Sequence, residues 1–160
     1  MSAEPADPVG LGAARSATDL VAGDPAALAA DADTLDRLAA GHEDHAARLR
    51  AIPPAAWRGE AAGQFAAIIA GPRRSVEAIA HAYRQTSAVL RAHAELLTWA
   101  RSVTEELLQV WRDAGGTADP DARRRQATIA VVGVQQQVRQ SEQQLVDALA
   151  HLTSMVEVRA

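Results

Sequence analysis

Residues 76–111, VEAIAHAYRQTSAVLRAHAELLTWARSVTEELLQVW, carry two apolar stripes at helical spacing. One stripe repeats at intervals of three, four or seven residues along the whole stretch, and a second recurs every seven residues from Val89 to Val110. A helix with two apolar stripes is covered by neighbours on more than one side, as the central helix of a bundle is. The pattern therefore predicts an all-α fold with a long central helix over residues 72–113.

A first helix is predicted over residues 24–52. Asp24 can accept hydrogen bonds from free backbone N–H groups, and Pro25 presets φ at the first helical position. Two consecutive prolines end this helix, because proline lacks an N–H and disfavours the α conformation of the residue before it. Residues 1–23 are rich in Pro and Gly and have little apolar content, which predicts a flexible N-terminal leader.

The second helical run is predicted as two pieces, residues 60–70 and residues 72–113, with a kink or break at the Gly-Pro pair between them. A third helix over residues 119–157 repeats the cap-and-proline start and is expected to pack back on the central helix. Gly133 inside it either costs about 1 kcal/mol relative to Ala or marks a close helix contact. The helical domain is thus predicted over residues 24–158.

A connection between the first two helices lies in AAWRGEAAGQF, residues 55–65, with the turn itself at residues 55–59. Trp57 can cover the junction of two antiparallel helices, Gly59 allows a backbone conformation that a Cβ opposes, and Phe65 can join the same cluster. Taken alone, the Trp-X-Gly triplet is also consistent with a Trp57 that simply closes the hairpin as a hydrophobic residue. The position between two heptad-patterned helices favours a more specific role.

These features resemble the WXG superfamily of small type VII secretion substrates, in which a Trp-X-Gly turn joins two helices. The similarity is greatest to the N-terminal domains of actinobacterial proteins assigned to type VII secretion, over about residues 18–115. The residues that carry it lie before the first helix and along the second, and they are Asp19, Leu20, Val21, Gly23, Asp24 and Pro25, then Ala94, Leu97, Thr98, Trp99 and Ala100, then Leu108 and Trp111.

The resemblance implies an elongated antiparallel hairpin that acts through helix–helix contacts and delivers a protein to a type VII export ATPase, usually ahead of a C-terminal toxin or enzyme. It implies a secreted chain without a cleavable signal peptide, cytoplasmic before export. The expected partner is another WXG-like helical protein or a second copy. The expected hairpin-tip residues are Trp57, Gly59 and Phe65, and the residues expected in a partner or bundle interface are Leu35, Leu38, Leu49, Tyr83, Leu90, Leu97, Trp99, Leu108 and Trp111.

One departure from the family pattern concerns its export signal, a Tyr followed four positions later by Asp or Glu. Here Tyr83 is followed at that distance by Ser87, and the later tryptophans are followed by Val103 and Gly115. Either a partner carries the signal or the chain lacks independent export competence.

Charge and chemistry exclude several other function classes. The formal net charge is −4 with both signs interspersed, so nucleic acid is not an expected partner, and the basic run Arg123–Arg125 is expected to be a solvated face. The sequence contains no stretch of about 18 apolar residues, so membrane insertion is not expected. His42 and His45 are three apart, whereas zincin ligands are four apart. We expect no metal, no cofactor and no catalysis; the alternative function is a cytosolic helical adaptor or chaperone for a secreted partner.

Overall fold

The computed structural model describes residue 7, residues 9–52 and residues 58–157. Trp57 and the two prolines before it lie outside the described residues. Helices dominate the remainder, and no strand occurs in these ranges, so the all-α prediction is confirmed. The elements are α1 Pro25–Arg50, α2 Glu60–Asp113 and α3 Pro120–Glu157, with short 3-10 turns at Ala17–Asp19 and Ala114–Gly116.

The cap-and-proline starts of α1 and α3 form as expected. The Asp24 carboxylate accepts hydrogen bonds from the N–H groups of Ala26 and Ala27 at 3.0 and 3.1 Å. The Asp119 carboxylate accepts one from the N–H of Ala122 at 3.0 Å. Each cap satisfies backbone donors that have no partner inside the helix, so both helices begin at the following proline.

The predicted separation of the second helical run into two pieces is wrong, because α2 continues through Pro72. A proline inside a helix removes one backbone hydrogen bond and costs about 3 kcal/mol. Pro72 lies at an exposed position, and so does Ile68, whose carbonyl loses its helical N–H partner. Water can therefore reach this turn, and the extensive packing of α2 after Pro72 offsets the remaining cost.

The chain divides into two compact units. Unit 1 comprises Met1–Leu28 and Ala92–Gln144, and unit 2 comprises Ala29–Arg91 and Leu145–Ala160. Both α2 and α3 contribute residues to each unit. None of the helices described here combines the length and apolar character needed to cross a bilayer.

In unit 1, α2 and α3 form an antiparallel hairpin closed by the 3-10 turn between them. His93 Nδ1 lies 2.9 Å from Ser141 Oγ, and the Arg124 guanidinium lies 5.8 Å from the Trp111 ring centroid. Residue numbers thus rise along α2 as they fall along α3. Apolar side chains from the predicted stripes fill the space between them in two buried clusters, which include Leu97, Ala100, Val134 and Val138 in one and Leu108 and Val131 in the other.

The N-terminal segment is the main departure from expectation. In place of a flexible leader, residues 9–23 (the strap) pack on the α2–α3 hairpin of unit 1, with Leu11 in one buried cluster and Val21 in the other. Ala17 is buried as well. Val9, Ala14 and Leu20 are partly buried against the same cluster as Leu11, so apolar contacts extend along the strap.

In unit 2, α1 runs antiparallel to α2. Ion pairs join Arg50 to Glu77 at 2.7 Å and Arg91 to Asp33 at 2.6 Å, so residue numbers rise along one helix as they fall along the other. The most buried residues of α1 are alanines at a spacing of seven, and they are Ala32, Ala39 and Ala46. Small side chains at these positions allow the two helices to approach closely. Leu152 is the buried residue of the α3 part of this unit.

Candidate functional site

At the predicted hairpin tip the structure describes Gly59 and Phe65, whereas the role expected of Trp57 stays a prediction. Gly59 has φ +85°, in the left-handed region, and a Cβ added there would meet nothing within 4 Å. The backbone conformation, and not crowding, therefore explains the glycine. Phe65 is partly buried and lines a groove of about 200 Å³ together with Leu49, Ile52 and Ile69.

The first turns of α2 continue beyond the end of α1 within unit 2. The last residue of α1, Arg50, pairs with Glu77, which lies seventeen residues after the first residue of α2. At about 1.5 Å per residue, this offset corresponds to roughly 25 Å of helix. Leu49 and Ile52 reach part of it, since they line a groove with Phe65 and Ile69. Ile68 is 71% exposed, so it presents apolar surface on a face of this segment that α1 does not cover.

Charged side chains connect α1 to α2 along one side of unit 2. Arg84 binds Glu43 at 2.9 Å and Asp36 at 3.1 Å, and Arg91 binds Asp36 and Asp33, both at 2.6 Å. The hydrogen bond from Arg91 lowers the pKa of the Asp36 carboxyl, and that from Arg84 lowers the pKa of Glu43. These exposed pairs set the register of the helices more than they add stability.

The two histidines considered as metal ligands have other surroundings. The His42 ring stacks on Tyr83 with centroids 5.5 Å apart. Both histidines line a shallow groove with Leu38 and Val76. In the part of the chain that the structure describes, no group of His, Asp or Glu side chains is arranged to hold a metal ion.

The residues expected at an interface separate into three classes of exposure. Leu90, Leu97 and Leu108 are buried inside their units and so belong to the core. The partly buried members are Leu35, Leu49, Tyr83 and Trp111. Leu38 and Trp99 are 45% and 44% exposed, and these two leave the most surface for a partner.

Arg124 behaves differently from the rest of the basic run. Its guanidinium lies over the Trp111 ring, while Arg123 and Arg125 are exposed as expected of a solvated face. The packing of Arg124 on an aromatic ring is worth about 0.5–1 kcal/mol.

Side chains of α2 and α3 hold the backbone of the strap. Arg112 donates to the carbonyl of Arg15 at 2.8 Å, and Gln135 donates to that of Leu20 at 3.2 Å. Arg101 donates to the carbonyls of Val21, at 3.3 Å, and Gly23. The Glu105 carboxylate accepts a hydrogen bond from the N–H of Ala17 at 2.9 Å. Side chains of α2 and α3 thus bind both carbonyl and N–H groups of the strap backbone.

The structure gives a physical reason for the glycine at position 23 of the Asp19–Pro25 pattern. Its φ is +116°, and a Cβ added to it would lie 2.7 Å from Cδ1 of Leu97, which is itself buried. Only glycine fits both the conformation and the space. Sequence reasoning identified the residues of this segment through the resemblance but did not identify their contact with α2.

Comparison with known proteins gives one family match. A family model described as "Putative T7SS secretion signal domain" matches residues 3–152, which include the strap and all three helices except the end of α3. No curated protein and no solved structure matches the chain.

Proposed function

The chain belongs to the family of the "Putative T7SS secretion signal domain", and from this premise we propose that it is a non-enzymatic targeting domain for type VII secretion. The match over residues 3–152 is the observation that carries the proposal. A secretion signal must be recognised as a folded surface or as an exposed segment. The finer parts of the proposal concern which surface is recognised, and by what.

We propose the projecting start of α2 as the surface that the export ATPase recognises. Ile68 is 71% exposed there, and Phe65 is partly buried nearby. A large exposed apolar side chain on a helix is a suitable anchor for a helix-binding groove on another protein. Trp57 is expected to contribute to the same surface.

A helical partner is proposed to bind unit 2. The strap already fills the α2–α3 groove of unit 1, whereas most of the large exposed apolar side chains belong to unit 2, and they include Leu38, Ile68, Val146, Leu149 and Val156. We propose another WXG-like helical protein, or a second copy, as this partner. Of these two, only a different WXG-like protein would also supply the Tyr-X-X-X-acid signal that the chain lacks.

We propose that the domain acts without catalysis. The polar side chains with resolved partners hold the fold together: Arg84 and Arg91 bind carboxylates of α1, and Arg101 binds the strap backbone. These contacts give each of the three arginines a structural role, which supports the proposal. Hydrolase or transferase activity of the purified chain would overturn this part.

The proposal is tested by comparing culture supernatant with lysate, in strains with and without an active type VII ATPase. Wild type, Trp57→Ala and Ile68→Asp are compared with Ile129→Asp as a matched control, because Ile129 is also 71% exposed but lies on α3 in unit 1. A cytosolic marker controls for lysis, and circular dichroism confirms that each variant folds.

Export of wild type and Ile129→Asp only with the active ATPase, and retention of folded Trp57→Ala and Ile68→Asp, is the expected result. Equal export of all four would remove the tip from the recognition surface. If no variant leaves the cell under any pairing with a candidate partner, the cytosolic adaptor or chaperone becomes the better interpretation.

Partner binding has its own test, sedimentation of the purified chain across a concentration series. We expect self-association, or aggregation relieved by a partner, and Leu38→Glu should weaken the association. A compact monomer that binds no hydrophobic dye would contradict a partner surface on unit 2.

A further inference from the structure

The groove between α2 and α3 in unit 1 recognises a peptide backbone. Arg101, Arg112 and Gln135 donate hydrogen bonds to strap carbonyls, and Glu105 accepts one from a strap N–H. Core packing between elements of one domain ordinarily depends on apolar side chains. Here polar side chains of both helices also contact main-chain atoms of the strap, which forms turns and a 3-10 helix.

Apolar side chains of the strap anchor it to the hairpin. Leu11, Ala17 and Val21 are buried. Leu11 clusters with Leu108 and Val131, and Val21 belongs to the cluster of Leu97. The strap residues partly buried against the first cluster are Val9, Ala14 and Leu20. Buried anchors with hydrogen bonds to the backbone between them are an arrangement that a bound peptide also shows.

The strap is internally ordered, as a preorganised ligand would be. The Asp7 carboxylate accepts hydrogen bonds from the N–H groups of Leu11 and Gly12 at 2.9 and 2.6 Å. The Asp19 carboxylate accepts them from Arg15 and Ser16 at 2.8 and 3.2 Å. These turns reduce the conformational entropy that binding must remove.

The connection to α1 is short and exposed. Ala22, Gly23 and Asp24 are all exposed, and the rest of α1 after Leu28 belongs to unit 2. We propose that the α2–α3 groove of unit 1 is a peptide-binding site and that the strap is its exchangeable ligand, which a second copy of the chain can also supply. Exchange of such a segment between identical chains is a low-cost route to dimers.

The test uses the full-length chain with a protease recognition sequence inserted between Gly23 and Asp24. The folded protein is cleaved, and size-exclusion chromatography shows whether the strap stays bound. A fluorescent synthetic peptide of residues 7–23 is then added, and its binding is followed by anisotropy. Variants Arg101→Met and Arg125→Met are compared, because Arg125 is an exposed arginine on α3 and Arg101 binds the strap backbone.

We expect the cleaved strap to co-elute with the helices and to exchange with the labelled peptide. Arg101→Met should weaken binding at least about tenfold, because it removes the donor to two carbonyls, and Arg125→Met should have no effect. Loss of the strap without peptide rebinding, equal affinity in both variants, or unfolding of the helices on cleavage would each overturn the proposal. The readout involves no secretion, so it is independent of the proposed function.

Discussion

The substitution Gly23→Ala probes the contact between the strap and α2. The added Cβ would lie 2.7 Å from Leu97 Cδ1, and the residue would have to keep a φ of +116°. Holding a residue with a Cβ in left-handed backbone costs about 1–2 kcal/mol. Overpacking a full core site costs about 1–3 kcal/mol, and Leu97 is only 1% exposed, so it has little room to move. We expect a loss of about 3 kcal/mol in the free energy of unfolding.

Urea denaturation followed by circular dichroism measures this loss. At a slope of about 2 kcal/mol per M, a loss of about 3 kcal/mol lowers the midpoint by roughly 1.5 M. Gly133→Ala is the matched control in unit 1, because a Cβ there meets nothing within 4 Å and the residue lies inside α3. Replacing a helical glycine by alanine should raise stability by about 1 kcal/mol. An unchanged midpoint for Gly23→Ala beside a raised one for Gly133→Ala would refute the strap contact.

Three further predictions concern the rest of the fold. Leu108→Ala should lower the free energy of unfolding by about 3 kcal/mol, because Leu108 is fully buried; Leu149→Ala, at a 42% exposed position, is the control, and similar losses in urea melts would contradict the clusters described here. Pro72→Ala should stabilise α2 by about 2 kcal/mol by restoring a backbone hydrogen bond, and hydrogen exchange should show slower exchange around residues 68–76; unchanged protection would argue against a helix through this point. The pKa of Asp36 is lowered by Arg91 and that of Glu43 by Arg84, so these carboxylates stabilise the fold at neutral pH and lose that effect as the pH falls below about 4. Thermal melts should therefore show a smaller drop in Tm on acidification for Asp36→Asn than for the wild type. An equal drop in Tm would show that Asp36 does not contribute to the acid response.

The parts of the fold that follow a helical period could be predicted from the sequence. Leu97 and Leu108, from a stripe predicted along the second helix, are buried in α2, and Val131 and Val134 are buried in α3. These positions repeat because one face of each helix meets the same neighbour over many turns. The starts of α1 and α3 could be predicted for a local reason, since a carboxylate and a proline cap a helix whatever surrounds it.

The strap could not be predicted by the same reasoning. Its buried residues, Leu11, Ala17 and Val21, are separated by six and four positions, and three positions are too few to establish a helical or a strand period. Its backbone partners lie on α2 and α3, about 80 to 115 residues away along the chain. Composition alone predicts disorder for a Pro- and Gly-rich segment, because composition does not show that distant helices form a groove that binds the segment.

Tertiary packing also outweighed local preference in the helices. The buried positions of α1 are alanines, while Leu38 is 45% exposed, because close approach to α2 favours small side chains at the contact. Helix propensity predicted a break at Pro72, yet the packing of the following turns keeps α2 continuous. At the candidate site, Gly59 shows the backbone conformation that the Trp-X-Gly pattern suggested. The exposed Ile68 was not anticipated, since its neighbours in the sequence are equally apolar.

The most direct test of the central claim is transfer of export to another protein. Residues 1–160 are fused in front of a folded reporter enzyme that is normally retained in the cell, and reporter activity is measured in supernatant and lysate with a wild-type or catalytically inactive type VII ATPase. If the chain is a targeting domain, the fused reporter appears outside the cell only with the active ATPase, while the unfused reporter stays inside. Retention of the fusion even when a cognate partner is co-expressed, or equal release without the active ATPase, would contradict a role in type VII targeting.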